Sequence, residues 1–137
     1  MSYVFDASSI LILTSELEEK VVDLMKNNFT TSLAYYEIGN ALWKECTVTA
    51  RIRVSEAIKV LKFIFSMLNF MKIIPTKDAE FGIKVISNAN KLKITYYDAT
   101  YLTVAKELNK ILVTNDKKLI SISRRVGVKT LPSEELW

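Results

Sequence analysis

Four acidic residues stand where apolar, strand-like runs come to an end. Asp6 follows Tyr3-Val4-Phe5, Asp98 follows Ile94-Thr95-Tyr96-Tyr97, Asp116 follows Ile111-Leu112-Val113-Thr114-Asn115, and Glu37 lies just past Phe29-Thr30-Thr31-Ser32. The chain has no histidine and one cysteine, Cys46. Carboxylates gathered at one edge of a sheet, with neither imidazole nor thiol beside them, suit a hard divalent ion, and oxygen ligands favour Mg²⁺ or Mn²⁺. The missing histidine excludes a Ser-His-Asp triad, a Cys-His pair and an imidazole base. It also excludes a zinc centre of the usual Cys/His kind. Cys46 has no partner for an internal disulfide, which points to a reducing, cytoplasmic setting, and on an apolar helix it reads as a packed thiol.

Each carboxylate also has a purely structural reading. Asp6 and Asp116 are placed to cap the helices that follow them. Asp98 stands three residues after Thr95, the spacing of a capping box. Glu37 lies between Ala34 and Ala41 on the border of a buried stripe, where a carboxylate needs a partner or a metal. Singly, each residue is explained without chemistry; their joint placement is the functional signal.

Elements of two kinds must position them. Strand-like runs near 2–6, 29–32, 70–74, 110–114 and 127–131 alternate with helical runs near 8–13, 16–27, 33–47, 52–69, 77–91, 96–109 and 117–125. That alternation predicts an α/β fold with a mainly parallel sheet. Ser15 with Glu18 and Thr95 with Asp98 have capping-box spacing, Ser32 and Thr76 are candidate N-caps, Pro75 closes a strand, and Gly127 marks a helix end. In an open parallel sheet, ligands bind beyond the carboxyl ends of the strands. Asp6 and Asp116 share one crevice there if the first and fourth strands are neighbours.

The 137 residues make a single domain, 1–137, with half its residues apolar and only five Gly or Pro. The N-terminal residues lack the pattern of a signal peptide. The most apolar stretch, Ala57 to Phe70, is interrupted by Lys59 and Lys62 and is too short for a membrane span. Removing the four candidate carboxylates from the 15 acidic residues leaves 11 against 19 basic ones, an excess of +8. A basic body around an acidic pit suits a polyanion met by metal at its scissile phosphate. Arg51, Arg53, Lys117, Lys118, Arg124 and Arg125 either line such a path or are ordinary solvated charges. On the segment 53–70, the row Val54, Ile58, Leu61, Phe65, Leu68 packs the helix on the sheet. A further row, Val60, Phe63, Met67 and Phe70, is either more core or an interface.

Val4-Phe5-Asp6-Ala7-Ser8, Glu37-Ile38-Gly39-Asn40-Ala41-Leu42, Tyr97-Asp98-Ala99-Thr100-Tyr101-Leu102 and Val113-Thr114-Asn115-Asp116 resemble, in order, the four motifs of PIN-domain ribonucleases. The closest resemblance is to the VapC toxins of toxin–antitoxin pairs, and it covers the whole chain. It implies a three-layer α/β/α sandwich with the five-stranded sheet order 3-2-1-4-5. It further implies that Asp6, Glu37, Asp98 and Asp116 ligate Mg²⁺ or Mn²⁺ and that Thr114 holds a metal-bound water or phosphate. Ser8 and Asn40 are implied as polar residues around substrate or ligands, with a backbone-bonding role as the alternative. The expected activity is hydrolysis of RNA phosphodiesters by metal-activated water, and the expected partners are RNA, a VapB-like antitoxin and a second copy in a homodimer. The alternatives are a PIN nuclease of RNA processing without an antitoxin, and a catalytically silent PIN-like binding module.

Overall fold

A computed structural model describes all 137 residues. Five short parallel strands, β1 (Tyr3–Phe5), β2 (Phe29–Thr31), β3 (Lys72–Ile74), β4 (Ile111–Val113) and β5 (Thr130–Leu131), form one sheet in the order β3-β2-β1-β4-β5. The expected order therefore holds, and β1 and β4 are neighbours in register, with Val4 opposite Leu112 and Phe5 opposite Val113. Seven α-helices accompany them: α1 (Ala7–Leu17), α2 (Val21–Met25), α3 (Leu33–Trp43), α4 (Val54–Leu68), α5 (Ala79–Leu92), α6 (Tyr96–Leu108) and α7 (Lys117–Arg125).

Alternation along the central strands builds the three layers. Phe5 and Val113 point to one face, where they meet Ile10, Leu13, Val21, Met25, Ile38, Ile64 and Leu68 from α1–α4. Val4 and Leu112 point to the other, against Tyr101, Leu102, Val104 and Ala105 of α6 and Leu119 of α7. Strands covered on both faces read as continuous apolar runs, which is why they were visible in the sequence.

Three local expectations are corrected. No helix starts at Ser15: Ile10, Leu13 and Leu17 carry α1 through it on one apolar stripe. The chain instead reverses at Glu18 (φ 52°, ψ −128°), passes through a 3₁₀ turn at Glu18–Lys20 and enters α2. Ser32 and Thr76 do not cap their helices; their hydroxyls lie 3.0 Å from each other across the ends of β2 and β3. α5 starts later, at Ala79 after Asp78. Both apolar rows of the segment 53–70 divide: Leu61, Phe65 and Leu68 of the first and Val60, Phe63 and Met67 of the second meet the core, whereas Val54 and Ile58, expected to pack on the sheet, and Phe70 are exposed. Gly127 does mark a helix end, with φ 83°. The Val128 N–H bonds Ser123 C=O at 2.9 Å and the Gly127 N–H bonds Arg124 C=O at 3.2 Å, the paired bonds of a Schellman motif. No helix is long and apolar enough to cross a membrane.

Candidate active site

The carboxyl ends of β1 and β4 set the site. Asp6 leaves β1 with its backbone N–H bonded to Val113 C=O at 3.2 Å. Its side chain caps α1: Oδ1 accepts from the Ser9 N–H at 2.9 Å and from the Ser9 hydroxyl, which also lies 2.8 Å from Val113 C=O. Asp116 follows β4 and caps α7, its Oδ1 accepting from the Leu119 N–H at 3.0 Å. The capping readings of both residues are thus correct and compatible with chemistry, because each uses one carboxylate oxygen. Thr114 between them is buried, and its hydroxyl accepts from the Asp116 N–H at 3.2 Å.

Asp98 sits in the first turn of α6, where only half of the capping box forms. The Thr95 hydroxyl accepts from the Asp98 N–H at 3.0 Å, and the Asp98 carboxylate makes no return bond to the Thr95 backbone. Its side chain is instead met by the Thr95 hydroxyl, with the Lys118 ammonium nearby. Glu37, on α3, is half-buried and accepts a 2.8 Å hydrogen bond at Oε1 from the phenol of Tyr101.

Electrostatics tie the four together. Burial pushes the Asp6 carboxyl above its ordinary value, the Ser9 hydrogen bonds oppose this, and the charge of Asp116 adds to it. Glu37 is raised by burial and by the charges of Asp6 and Asp98, against the Tyr101 hydrogen bond. Asp98 is raised by burial and by Asp116 and Asp6, with the Lys118 ammonium opposing. These groups share one negative field at the edge expected for them, but they do not form a closed ligand shell. No three acidic side chains converge on a point where a metal ion fits. Asp6 and Asp116 stay anchored to their caps and Glu37 to Tyr101, so the acids line an open edge.

Ser8 and Asn40 are exposed and make no side-chain hydrogen bond in the protein. The serine that engages Asp6 is the next one, Ser9, which is fully buried. Spacing held that signal, since an N-cap side chain bonds the second or third helical N–H and Ser9 is third after Asp6. Tyr101 left no comparable trace, because its contact with Glu37 spans 64 residues. Asn115 was also missed; its side chain accepts from the Ser133 N–H at 3.0 Å and donates to Glu134 at 3.1 Å, fixing the C-terminal turn beside the site.

The profile of the PIN domain matches residues 3–125. The exonuclease VapC9 of Pyrobaculum aerophilum is 30% identical over 132 residues, spanning 96% of this chain and 93% of its own. The ribonuclease VapC3 of the same organism is 32% identical over 124 residues, spanning 87% and 92%. Among solved structures, PAE2754 from Pyrobaculum aerophilum superposes with a TM-score of 0.81 at 29% identity, covering 99% of this chain and 93% of that one. VapBC-1 from nontypeable Haemophilus influenzae superposes at 0.63 and 17% identity over 98% and 99%, a likeness of fold. With the sheet order, the carboxylate edge and these matches in agreement along nearly its full length, the chain belongs to the PIN-domain family and is similar to the VapC nucleases within it.

Proposed function

We propose that this protein is a metal-dependent endoribonuclease toxin of the VapC kind, acting in the cytoplasm and held in check by a cognate antitoxin. The observation that carries the reading is the set of Asp6, Glu37 and Asp98, each raised by burial and by neighbouring acidic charge at one sheet edge. Acidic groups in that state lack a countercharge. An all-oxygen donor set in a chain without histidine fits Mg²⁺ or Mn²⁺. The open arrangement fits an ion that keeps part of its water and meets only one or two carboxylates directly. When bound, such an ion supplies Lewis acidity toward the phosphate and toward attacking water.

The chain's own residues supply the frame. Asp6, Asp98, Glu37 and Asp116 hold the negative charge, Thr114 offers a buried hydroxyl between the two strand ends, and Lys118 offers a cation beside Asp98 for a phosphate oxygen. Ser8 and Asn40, both solvent-facing, are placed to touch RNA rather than to hold the carboxylates. The VapBC-1 structure, named for a VapB–VapC pair, supports a VapB-like partner, and a homodimer is part of the same reading.

Cleavage of RNA should stop in EDTA and return with Mg²⁺ or Mn²⁺, leaving 5′-phosphate and 3′-hydroxyl ends. Full activity in chelator, or ends carrying 2′,3′-cyclic phosphate, would defeat the reading. A different reading, exonucleolytic attack, is favoured by the name of the relative VapC9. Circular RNA separates the two, since only an endonuclease opens it.

A further inference from the structure

Two of the four carboxylates follow one pattern: Asp116 takes its protein donor on Oδ1 and Glu37 on Oε1, and the other oxygen of each receives no protein hydrogen bond. Asp6 takes Ser9 on Oδ1, and the Thr114 hydroxyl adds a further hydrogen bond to its carboxylate. For Asp116, and for Asp6 at Oδ1, the donors are the residues that the helix cap brings in any case. Glu37 sits inside α3, where no backbone N–H is available to it, so its only anchor comes from another helix. That anchor is Tyr101 of α6, 2% exposed, with its hydroxyl donating at 2.8 Å.

The rest of the phenol's surroundings make it a fixed donor. The ring lies in the core with Val4, Leu102 and Leu112, so it cannot swing away without opening that cluster. A phenol keeps its proton at neutral pH, so this buried hydroxyl acts toward Glu37 as a donor. Thr31 at the end of β2 adjoins it with a buried hydroxyl that has no other partner. A neutral, immobile O–H therefore faces a carboxylate on a separate helix, in a pit whose other groups repel that carboxylate.

We propose that Tyr101 is the positioning residue of the metal site: its hydroxyl holds Glu37 Oε1 so that Oε2 is presented to the cation. This rests on the metal-dependent reading above. Without the bond, repulsion from Asp6 and Asp98 turns Glu37 outward into solvent, and the ion loses a ligand rather than the enzyme losing a reacting group. Removing such an outer partner typically weakens metal affinity about 10- to 100-fold.

The test measures Mn²⁺ binding to the RNA-free protein by the EPR signal of unbound Mn²⁺, together with the Mn²⁺ dependence of cleavage. Tyr101→Phe should weaken binding about 10- to 100-fold and raise the Mn²⁺ needed for half-maximal cleavage by a similar factor. At saturating Mn²⁺ its kcat should return to within about threefold of wild type, because a positioning loss is recovered by mass action. In a Glu37→Gln background the same change should weaken Mn²⁺ binding no further. Wild-type affinity in Tyr101→Phe, or an equal loss in both backgrounds, would overturn the proposal. Should Tyr101→Phe fail to fold, Glu37→Asp decides: one methylene shorter, it cannot meet the phenol and the ion together and should show the same weakening, and unchanged affinity overturns the idea. Unchanged Mn²⁺ binding in Glu37→Gln itself would instead remove the underlying metal reading.

Discussion

At the C-terminal edge of the sheet stand four carboxylates and the first turns of α1, α6 and α7. At the N-terminal edge lies a cavity of about 480 Å³ lined by Lys106, Lys110 and Lys129 among others, with no carboxylate in its walls. By size and charge alone, the lysine-lined cavity would make the better anion site. The helices explain why it does not. α6 and α7 end at that edge, and the partial negative charge of a helix C-terminus is complemented by cations such as Lys106 in the last turn of α6 and Arg124 and Arg125 in the last turn of α7. Lys110 also shares the Phe29 ring with Lys72, at 5.7 and 5.2 Å from its centroid. Lys106 and Lys110 there thus already have partners within the fold. The carboxylate edge is different: helix N-termini offer each acid only about 0.3–1 kcal/mol, and Asp6, Glu37 and Asp98 remain raised despite their hydrogen bonds. An edge whose charge is unanswered within the fold is the one that needs a ligand.

The largest expected effect tests which edge does the chemistry. Asp6→Asn should lower cleavage by about a thousandfold or more, the order expected when metal-assisted stabilisation is lost, while leaving the metal-free fold intact because Asn also caps helices well. Lys110→Ala and Lys129→Ala should stay within a few-fold of wild type. A lysine variant as inactive as Asp6→Asn would reverse the assignment of the two edges.

Next in size is the response to metal. If only the carboxylate edge lacks countercharge, Mg²⁺ or Mn²⁺ should stabilise the wild-type protein by about 2.7 kcal/mol at a hundredfold excess over Kd, a rise in Tm of several degrees. Asp6→Asn should respond weakly. Equal metal-induced shifts in both proteins would place the cation elsewhere.

The C-terminal edge was legible because its signals are local, an acid directly after an apolar run, while the strand order came only from the family that the four motifs resemble. The hydroxyls that orient those acids were not. Ser9 went unnoticed because helix phase decides its role: Ser8 turns to solvent while Ser9 turns inward beneath Asp6. The Tyr101–Glu37 bond joins α6 to α3 and exists only once both have packed on the sheet. The turn at Glu18 was hidden for a related reason. Ser15 and Glu18 have the spacing of a helix start, yet the buried stripe of α1 continues past them, so tertiary burial overrides the local cap.

A pH titration of the metal-free protein sharpens the contrast further. Asp6, Glu37 and Asp98 are raised above their ordinary values of 3.8, 4.5 and 3.8. The folded state thus binds protons more readily than the unfolded one at these groups. Their contribution to stability is fully present below the unfolded values and is lost as pH rises through the folded ones. Lowering the pH from neutral toward the ordinary carboxylate values should therefore raise the metal-free Tm. Asp6→Asn should show a smaller gain, and saturating Mg²⁺ should suppress it. A Tm that falls on acidification in wild type and in Asp6→Asn alike would mean that the acids are already neutralised within the fold.

The smallest effect is expected at the opposite edge. Lys106 lies in the last turn of α6, where its charge meets the helix's negative end. It takes part in no ion pair, since Glu107 beside it is paired with Lys84 at 2.9 Å. Its replacement by Ala removes only the helix-end interaction, about 0.3–1 kcal/mol at low ionic strength, or roughly 1–4 °C in Tm for a chain of this size. Salt at about 1 M reduces the Debye length to about 3 Å, so the difference between Lys106→Ala and wild type should nearly vanish there. RNA cleavage measured under the same low-salt conditions should change less than threefold. A tenfold loss of cleavage without a matching loss of Tm would show that the substrate reaches around the sheet to this cavity, and that its lysines are answered by phosphate rather than by the ends of α6 and α7.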